Sequence, residues 1–448
     1  MTMVENTATE SKLDSQRIGP LQLRVLILCL LIQACDGYDM NAIGYALPAL
    51  LRAWHLSPAQ FSVALLMSNL GILAGALIAG PVGDRFGRKP LLMGSVAIFG
   101  VASLLSATAS SLAALSVLRF FTGVGIAGGF AGSAALTGDY APKERRATLI
   151  MISFTGTAIG AFLGGQIAAL LFSKGFDWSS IFVVGGLAPL ILLFAMALWL
   201  PEAPQHLAVR KKLTARQAAL LQSLGIQPAM NRAASIEKSG SNPIKELFSG
   251  GYALQTVLLW IIFFCGLLNL FLFVFWLPAI LNFSGMTQSE AVFAASLHPL
   301  GGILPVLYLG WAIDRFGTQR ALSLHFAIGI VFIAMLGLFS LPYAAILALC
   351  FLTGVTINGT PIGSNAACGL LYPARMRTTG VAWALGVGRF GALAAAPLGG
   401  YLLSWGLAPR QVLLSAVLFA AIAAVAAASL GVVSKRIVPS KAAESVSA

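Results

Sequence analysis

Apolar residues run along this chain in long stretches broken by short polar segments, almost continuously from Leu21 to Val433. A helix needs about 20 apolar residues to cross the hydrocarbon core of a bilayer, so each stretch predicts a membrane-spanning helix. The pattern places spans at 22–49, 58–82, 90–108, 112–138, 146–173 and 178–200, and again at 253–282, 287–313, 320–341, 344–370, 378–405 and 410–433. One long polar stretch, 201–250, separates the two sets; it carries Arg210, Lys211, Lys212, Arg216, Arg232, Lys238 and Lys245. The expected organisation is a tail at 1–21, a six-helix bundle at 22–200, a linker at 201–252, a second six-helix bundle at 253–433 and a tail at 434–448. The fold class is all-α and integral to the membrane.

Composition agrees with the pattern. Hydrophobic residues make up 58% of the 448 and charged residues 10%, where a soluble domain has about 25% charged. The net charge of +13 raises nucleic acid as a partner, but the basic residues sit in clusters between apolar stretches, which is how a membrane protein sets its orientation. Of 28 Lys and Arg, Arg52, Lys174 and Arg410 fall in alternate loops and Arg119 and Arg389 within spans, leaving 23 on one side. That side is the cytoplasm by the positive-inside rule, so both termini and the linker are expected there. The five cysteines lie in apolar segments without metal-ligand or disulfide spacing. No small-residue cleavage site follows the first apolar run, so it reads as span 1 rather than a leader.

The two sets are repeats. Gly80-Pro-Val-Gly-Asp84-Arg85-Phe-Gly87 matches Gly310-Trp-Ala-Ile-Asp314-Arg315-Phe-Gly317 at an offset of 230. At that offset Asp39 aligns with Asn269, Cys35 with Cys265 and Pro48 with Pro278. At 231, Phe120-Phe-Thr-Gly-Val124 matches Phe351-Leu-Thr-Gly-Val355, and Pro142 and Arg146 match Pro373 and Arg377. Parallel repeats of six spans with a long central loop describe a two-bundle transporter, whose substrate site is expected near mid-membrane between the halves.

Charge within a bilayer costs at least a few kcal/mol per residue and persists only where it pairs or meets water. Span 1 holds two acids, Asp36 and Asp39, and a spacing of three puts them on one helical face. Desolvation penalises the charged form of an acid at that depth, which suits a proton carrier; the competing reading is a static ion pair. Arg119 and Arg389 are the matching cations. Arg389 lies near the midplane, and Arg119 some six residues outward of it, or roughly 9 Å, where it can approach Asp39. Arginine grips a carboxylate with two parallel hydrogen bonds, so an anionic substrate is favoured. Tyr38, Asn269 and Asn358 complete the candidate substrate set. The turn Gly83-Asp84-Arg85-Phe86-Gly87-Arg88-Lys89 and its copy at Asp314 and Arg315 read as a gating latch, with the aspartate bonding a neighbouring helix end. Ordinary topology charge is the alternative. Asp139 and Arg377 join the gating candidates.

Gly123, Gly125, Gly128 and Gly129 in span 4, and Gly156, Gly160, Gly164 and Gly165 in span 5, form small-residue packing faces. His298 precedes Pro299 and is expected as a packing or kink residue, although a lone histidine can relay protons. The histidines show no cluster, so no metal is expected.

Asp36-Gly-Tyr-Asp39, the Asp84 turn, Arg119-Phe-Phe-Thr-Gly and the stretch from Tyr372-Pro-Ala-Arg-Met-Arg377 to Gly-Arg389-Phe-Gly-Ala resemble the aromatic acid:proton symporter family of the major facilitator superfamily. The resemblance runs from span 1 to span 11. It implies the major facilitator fold, twelve helices in a bacterial inner membrane, and no cofactor beyond the proton gradient. It also implies import of a benzoate- or hydroxybenzoate-like acid with protons, by a monomer without nucleic acid partners. In the family pattern Asp36 and Asp39 serve coupled transport, and Asp84, Asp314, Arg377 and Arg389 match charged positions. The chain departs from the pattern at Asp139, where glutamate is usual, at Pro201-Glu-Ala-Pro-Gln205, at Gln319, and at Ser-Leu-His298-Pro299. Alternatives are a transporter of another organic acid and a drug/proton exporter of the same fold, the latter weakened by Ala161 after Gly160, where such exporters carry proline. A receptor or structural protein has no need of paired mid-depth acids. No nucleophile, base and third group fall at usable spacing for an enzyme.

Overall fold

The computed structural model describes residues 18–208, 217, 246–249 and 251–444. The linker basic residues from Arg210 to Lys245 lie outside them. Among the described residues twelve helices are long and apolar enough to cross a membrane. They are α1 Pro20–Trp54, α2 Pro58–Phe86, α3 Arg88–Ser106, α4 Leu112–Tyr140, α5 Arg146–Ser173 and α6 Ser179–Trp199, then α7 Ala253–Phe283, α8 in two pieces (α8a Gln288–Gly301 and α8b Leu304–Phe316), α9 Thr318–Leu338, α10 Tyr343–Leu371, α11 Ala374–Ser404 and α12 Pro409–Glu444. Every span expected from the hydropathy pattern is present, and α1 and α12 continue past the expected apolar limits.

Helix ends follow local chemistry. The Ser111 hydroxyl accepts from the Ala114 amide (3.2 Å) to open α4, and Thr287 with Glu290 forms a reciprocal capping box at α8a. Gly87 and Gly317 carry positive φ at the α2–α3 and α8b–α9 turns, which glycine alone adopts without a Cβ penalty. The hydropathy pattern predicts span 8 as one helix, but it breaks after Gly301. Pro299 has no amide to bond the preceding turn, and Gly302 and Ile303 make only three-residue turns to Pro299 and Leu300. The Asn358 amide of α10 donates to the His298 carbonyl (3.2 Å) and to the Gly354 carbonyl (3.1 Å), holding the break in place.

The chain forms two compact units that do not follow the sequence halves. The first gathers the described residues up to Met40, Met67–Ala161 and the described part of Ser179–Glu237. Its core joins Ile32, Phe99, Ile126 and Met196 from α1, α3, α4 and α6. Here α1 lies against α5 backbone to backbone: a Cβ on Gly156 would overlap the Leu30 carbonyl, and one on Gly160 the Ala34 carbonyl.

The second unit contains Asn41–Leu66, Phe162–Trp178 and the described residues from Lys238 onward. Its core joins Phe263, Phe326, Cys368, Ala384 and Ala427 from α7 and α9 to α12. The ends of α1, α2 and α5 belong here because they are tied to α7, α8a and α11. Arg52 donates to Asn282 (2.9 Å) and Gln288 (2.7 Å), Gln288 to the Tyr45 carbonyl (3.0 Å), Ser289 to the Ala169 carbonyl (2.8 Å) and Gln166 to Ser296 (2.7 Å). A Cβ on Gly44 or Gly165 would meet Val274 or Ser296, so small residues set this close approach.

Candidate functional site

Within the first unit, the α1 acids face α3 and α4 from a fully buried position. Asp39 is 1% exposed and Arg119 1%. The Arg119 Nη1 donates to Asp39 Oδ2 (3.1 Å) and Nη2 to Ser106 Oγ (2.8 Å). Ser103 donates to the other Asp39 oxygen. The guanidinium carbon stands 4.8 Å from the centre of the Phe182 ring, a cation–π distance. Asp39 and Arg119 are therefore a hydrogen-bonded buried ion pair. Tyr38, between the two acids, points to α6, where its hydroxyl donates to the Ile181 carbonyl (2.8 Å).

Asp36 is different. It is 2% exposed, yet neither carboxyl oxygen has a hydrogen-bond partner among the described residues. It fits against α4 because residue 129 is glycine: a Cβ there would stand 2.8 Å from Asp36 Oδ2. One turn away on the same face, Gln33 accepts from Thr157 (2.9 Å) and leaves its own amide nitrogen unpartnered. Burial of an unpaired charged group is costly, and among the described residues no hydrogen-bond donor compensates a charged Asp36.

Within the second unit, Arg389 is the fourteenth residue of the 29-residue span Met376–Ser404, half-buried, and without a hydrogen-bond or ion-pair partner among the described residues. The helix around it is pressed onto α7, where a Cβ on Gly391 would overlap the Phe264 carbonyl. Asn269 donates to the Ala416 carbonyl of α12 (3.1 Å), while its own side-chain oxygen is buried and unpartnered. His298 stacks on Phe273 with ring centres 5.1 Å apart. Its Nδ1 lies 3.3 Å from Thr353 Oγ1, and Nε2 has no hydrogen-bond partner among the described residues.

The structure divides the gating candidates. Asp84 pairs with Arg88 in its own turn (3.1 Å), and Arg85 lies over Phe86. The acid that bonds a neighbouring helix end is Glu202, from the segment after α6. Its Oε1 accepts from the Arg88 and Lys89 amides (2.8 and 3.1 Å) at the start of α3, where the helix dipole favours negative charge. Tyr140 then donates to the Glu202 carbonyl (2.7 Å). Asp139 is half-buried in the field of Arg88, Arg146 and Glu202. Asp314, Arg315 and Arg377 are exposed and make no hydrogen bond or ion pair among the described residues.

Sequence reasoning brought Asp39 and Arg119 together and singled out Asp36 and Arg389. It missed Ser103, Ser106, Gln33, Phe182 and Glu202 as participants. Gln33 was legible as a mid-span amide three residues before Asp36; the serines carry no such signal.

Comparison with known proteins agrees with this architecture. Residues 29–362 match the model of the Major Facilitator Superfamily. The chain is 35% identical over 437 residues to the 4-hydroxybenzoate transporter PcaK of Pseudomonas aeruginosa, covering 96% of this chain and 97% of the relative. It is 35% identical to the gallate transporter of Pseudomonas putida over 88% of each, and 30% identical to the benzoate transport protein of Acinetobacter baylyi over 88% of this chain and 86% of the relative. Among solved structures, a bacterial homologue of the lysosomal transporter Spinster superposes with a TM-score of 0.70 at 17% identity, covering 93% of this chain and 98% of that one. The D-xylose–proton symporter does so with 0.69 at 16%, covering 91% and 97%. With twelve spans, two repeats and a match over most of its length, this chain belongs to the Major Facilitator Superfamily of membrane transporters.

Proposed function

We propose that the chain imports a small aromatic carboxylate, of the benzoate or hydroxybenzoate class, together with protons and by alternating access. The observation that carries this reading is Arg389, a mid-span guanidinium with no hydrogen-bond or ion-pair partner among the described residues. Such a group is tolerated at that depth only where a counter-charge or water reaches it, and a carboxylate matches its planar fork with two hydrogen bonds. The named substrates of the relatives, 4-hydroxybenzoate, gallate and benzoate, are all of this class.

Asp36 is the proposed proton carrier. It is buried beside Asp39 and has no hydrogen-bond partner among the described residues, so gain or loss of its proton changes the charge of the site without breaking a hydrogen bond seen there. Asp39 and Arg119 form the fixed pair next to it. The proposed energy source is the proton gradient, with no bound cofactor. Both termini lie on the cytoplasmic side, following the Lys and Arg distribution. The bundles 22–200 and 253–433 are the moving bodies, with Asp84, Arg85, Arg88, Asp139, Asp314, Arg315 and Arg377 acting at the gate. One chain suffices for transport.

The test is uptake of labelled benzoate, 4-hydroxybenzoate and gallate, each with and without a protonophore, beside the uncharged amide of each acid. Accumulation of an acid that collapses with the protonophore supports the reading. Equal uptake of acid and amide, or uptake indifferent to the protonophore, defeats it.

A further inference from the structure

The second unit carries a groove that the transport reading does not use. It has a volume of about 840 Å³ and runs between α8b, α9 and α10. Tyr308, Trp311 and Phe316 wall it on one side, and Leu324, Ile328 and Phe332 on the other. Trp311 is 60% and Leu324 61% exposed, large apolar side chains that suit a lipid-facing surface on a membrane-spanning segment.

The polar atoms deeper in the wall satisfy one another. The Tyr308 hydroxyl lies 2.9 Å from His325 Nδ1, and His325 Nε2 lies 2.6 Å from the Thr356 carbonyl. A neutral ring that donates from Nε2 and accepts at Nδ1 fits both contacts, so the interior offers a guest mainly apolar surface. Two groups near the mouth are unsatisfied. Arg320, on the rim three residues into α9, is exposed and has no hydrogen-bond or ion-pair partner among the described residues. Ser323, one turn deeper on the same face, lines the groove with a buried hydroxyl that has no partner.

Length and charge narrow the occupant. From Arg320 to Phe332 is twelve residues of helix, about 18 Å at 1.5 Å per residue. Half of a hydrocarbon core of about 30 Å is about 15 Å, so the groove spans one leaflet from headgroup level to the midplane. The nearby charged side chains are Arg315, Arg320 and Asp314, a positive balance. In the first repeat the corresponding helix start, that of α3, is occupied by the Glu202 carboxylate. The residue 230 positions after Glu202 is Val432, which has no charge to offer.

We propose that this groove binds an anionic phospholipid, with its phosphate on Arg320, an ester carbonyl on the Ser323 hydroxyl and one acyl chain laid along α9 toward Phe332.

The test is lipid retention by the full-length protein in detergent, read by native mass spectrometry after titration with dioleoylphosphatidylglycerol or dioleoylphosphatidylcholine. Wild type is expected to retain the glycerol lipid in preference to the choline lipid. Arg320→Gln should lower that preference about fivefold, the worth of one basic residue near an anionic headgroup, and Arg320→Lys should keep most of it. Ala327→Trp, which fills the groove, should reduce retention of both lipids. Lys174→Gln, a basic residue away from the groove, should change neither. Each variant is accepted only if its thermal midpoint in detergent matches wild type. Equal retention of the two lipids by wild type, an unchanged preference in Arg320→Gln, or undiminished retention in Ala327→Trp would each overturn the proposal.

Discussion

Asp36 and Asp39 are both buried acids on one turn of α1, yet neutralising them should have very unequal consequences for stability. Asp39 accepts from Arg119 and Ser103, and among the described residues Arg119 pairs with no other acid. Asp39→Asn therefore leaves a guanidinium that is 1% exposed facing an amide. Breaking a buried pair from one side costs about 3–5 kcal/mol, because the remaining charge is uncompensated. The Phe182 ring at 4.8 Å recovers only about 1–2 kcal/mol of that at most. Asp36→Asn removes no hydrogen bond among the described residues, since neither oxygen has a partner there, and its effect on stability should stay within about 1 kcal/mol. The assay is the midpoint of thermal or denaturant unfolding in detergent for wild type, both single variants, Arg119→Gln and the double variant Asp39→Asn/Arg119→Gln. The double variant should regain most of the stability lost by Asp39→Asn, because removing both charges also removes the desolvation cost. Equal destabilisation by Asp36→Asn and Asp39→Asn, or simple additivity in the double variant, would refute the assignment of one acid as structural partner and the other as free carboxyl.

Three further outcomes are expected. Arg389→Gln should abolish the preference for an aromatic acid over its amide in equilibrium binding, whereas Arg389→Lys should weaken acid binding and keep some preference; an unchanged ratio would place the anchor elsewhere. Gly129→Ala should reduce coupled uptake while the protein still inserts, because the new methyl would stand 2.8 Å from Asp36 Oδ2, and wild-type uptake would show that Asp36 is free to move without penalty. Arg52→Ala removes hydrogen bonds to Asn282 and Gln288, so cysteines placed near Tyr45 and Ser289 should label faster with a water-soluble reagent, and unaltered labelling would show that these bonds do not hold that end together.

The twelve spans were legible because lipid leaves the sequence little choice: each crossing requires a long apolar run, and the ends differ from expectation by a few residues except at α12, which continues from the expected 433 to Glu444. A kink at His298-Pro299 was among the expectations, but the full break of α8 after Gly301 was not read, although Pro299, Gly301 and Gly302 signal it. Hydropathy averages over such a break, and its geometry depends on Asn358, some sixty residues away. The approach of Asp39 to Arg119 followed from depth counting alone. That Tyr38 is tied to Ile181 and Asn269 to Ala416 could not follow, because depth fixes a residue's height in the membrane and not its partner across the bundle. The duplicated aspartate turn suggested that Asp84 bonds a helix end. A carboxylate one turn from Arg88 pairs locally instead, and Glu202, brought back by the chain after α6, takes the helix start. The packing glycines were recognised as small faces, but only the fold assigns Gly156 and Gly160 to α1, Gly129 to Asp36 and Gly165 to α8a.

In the proposed mechanism Asp36 of α1, which has no hydrogen-bond partner among the described residues, couples protons to the movement of an aromatic carboxylate. It is tested most directly in liposomes containing purified protein, with an imposed pH gradient, labelled 4-hydroxybenzoate and either wild type or Asp36→Asn. Wild type should accumulate the acid above equilibrium and lose the accumulation when a protonophore is added. Asp36→Asn should insert and unfold like wild type and still exchange labelled for unlabelled acid, but fail to accumulate it. Accumulation by Asp36→Asn at the wild-type level, still driven by the pH gradient, would contradict the account.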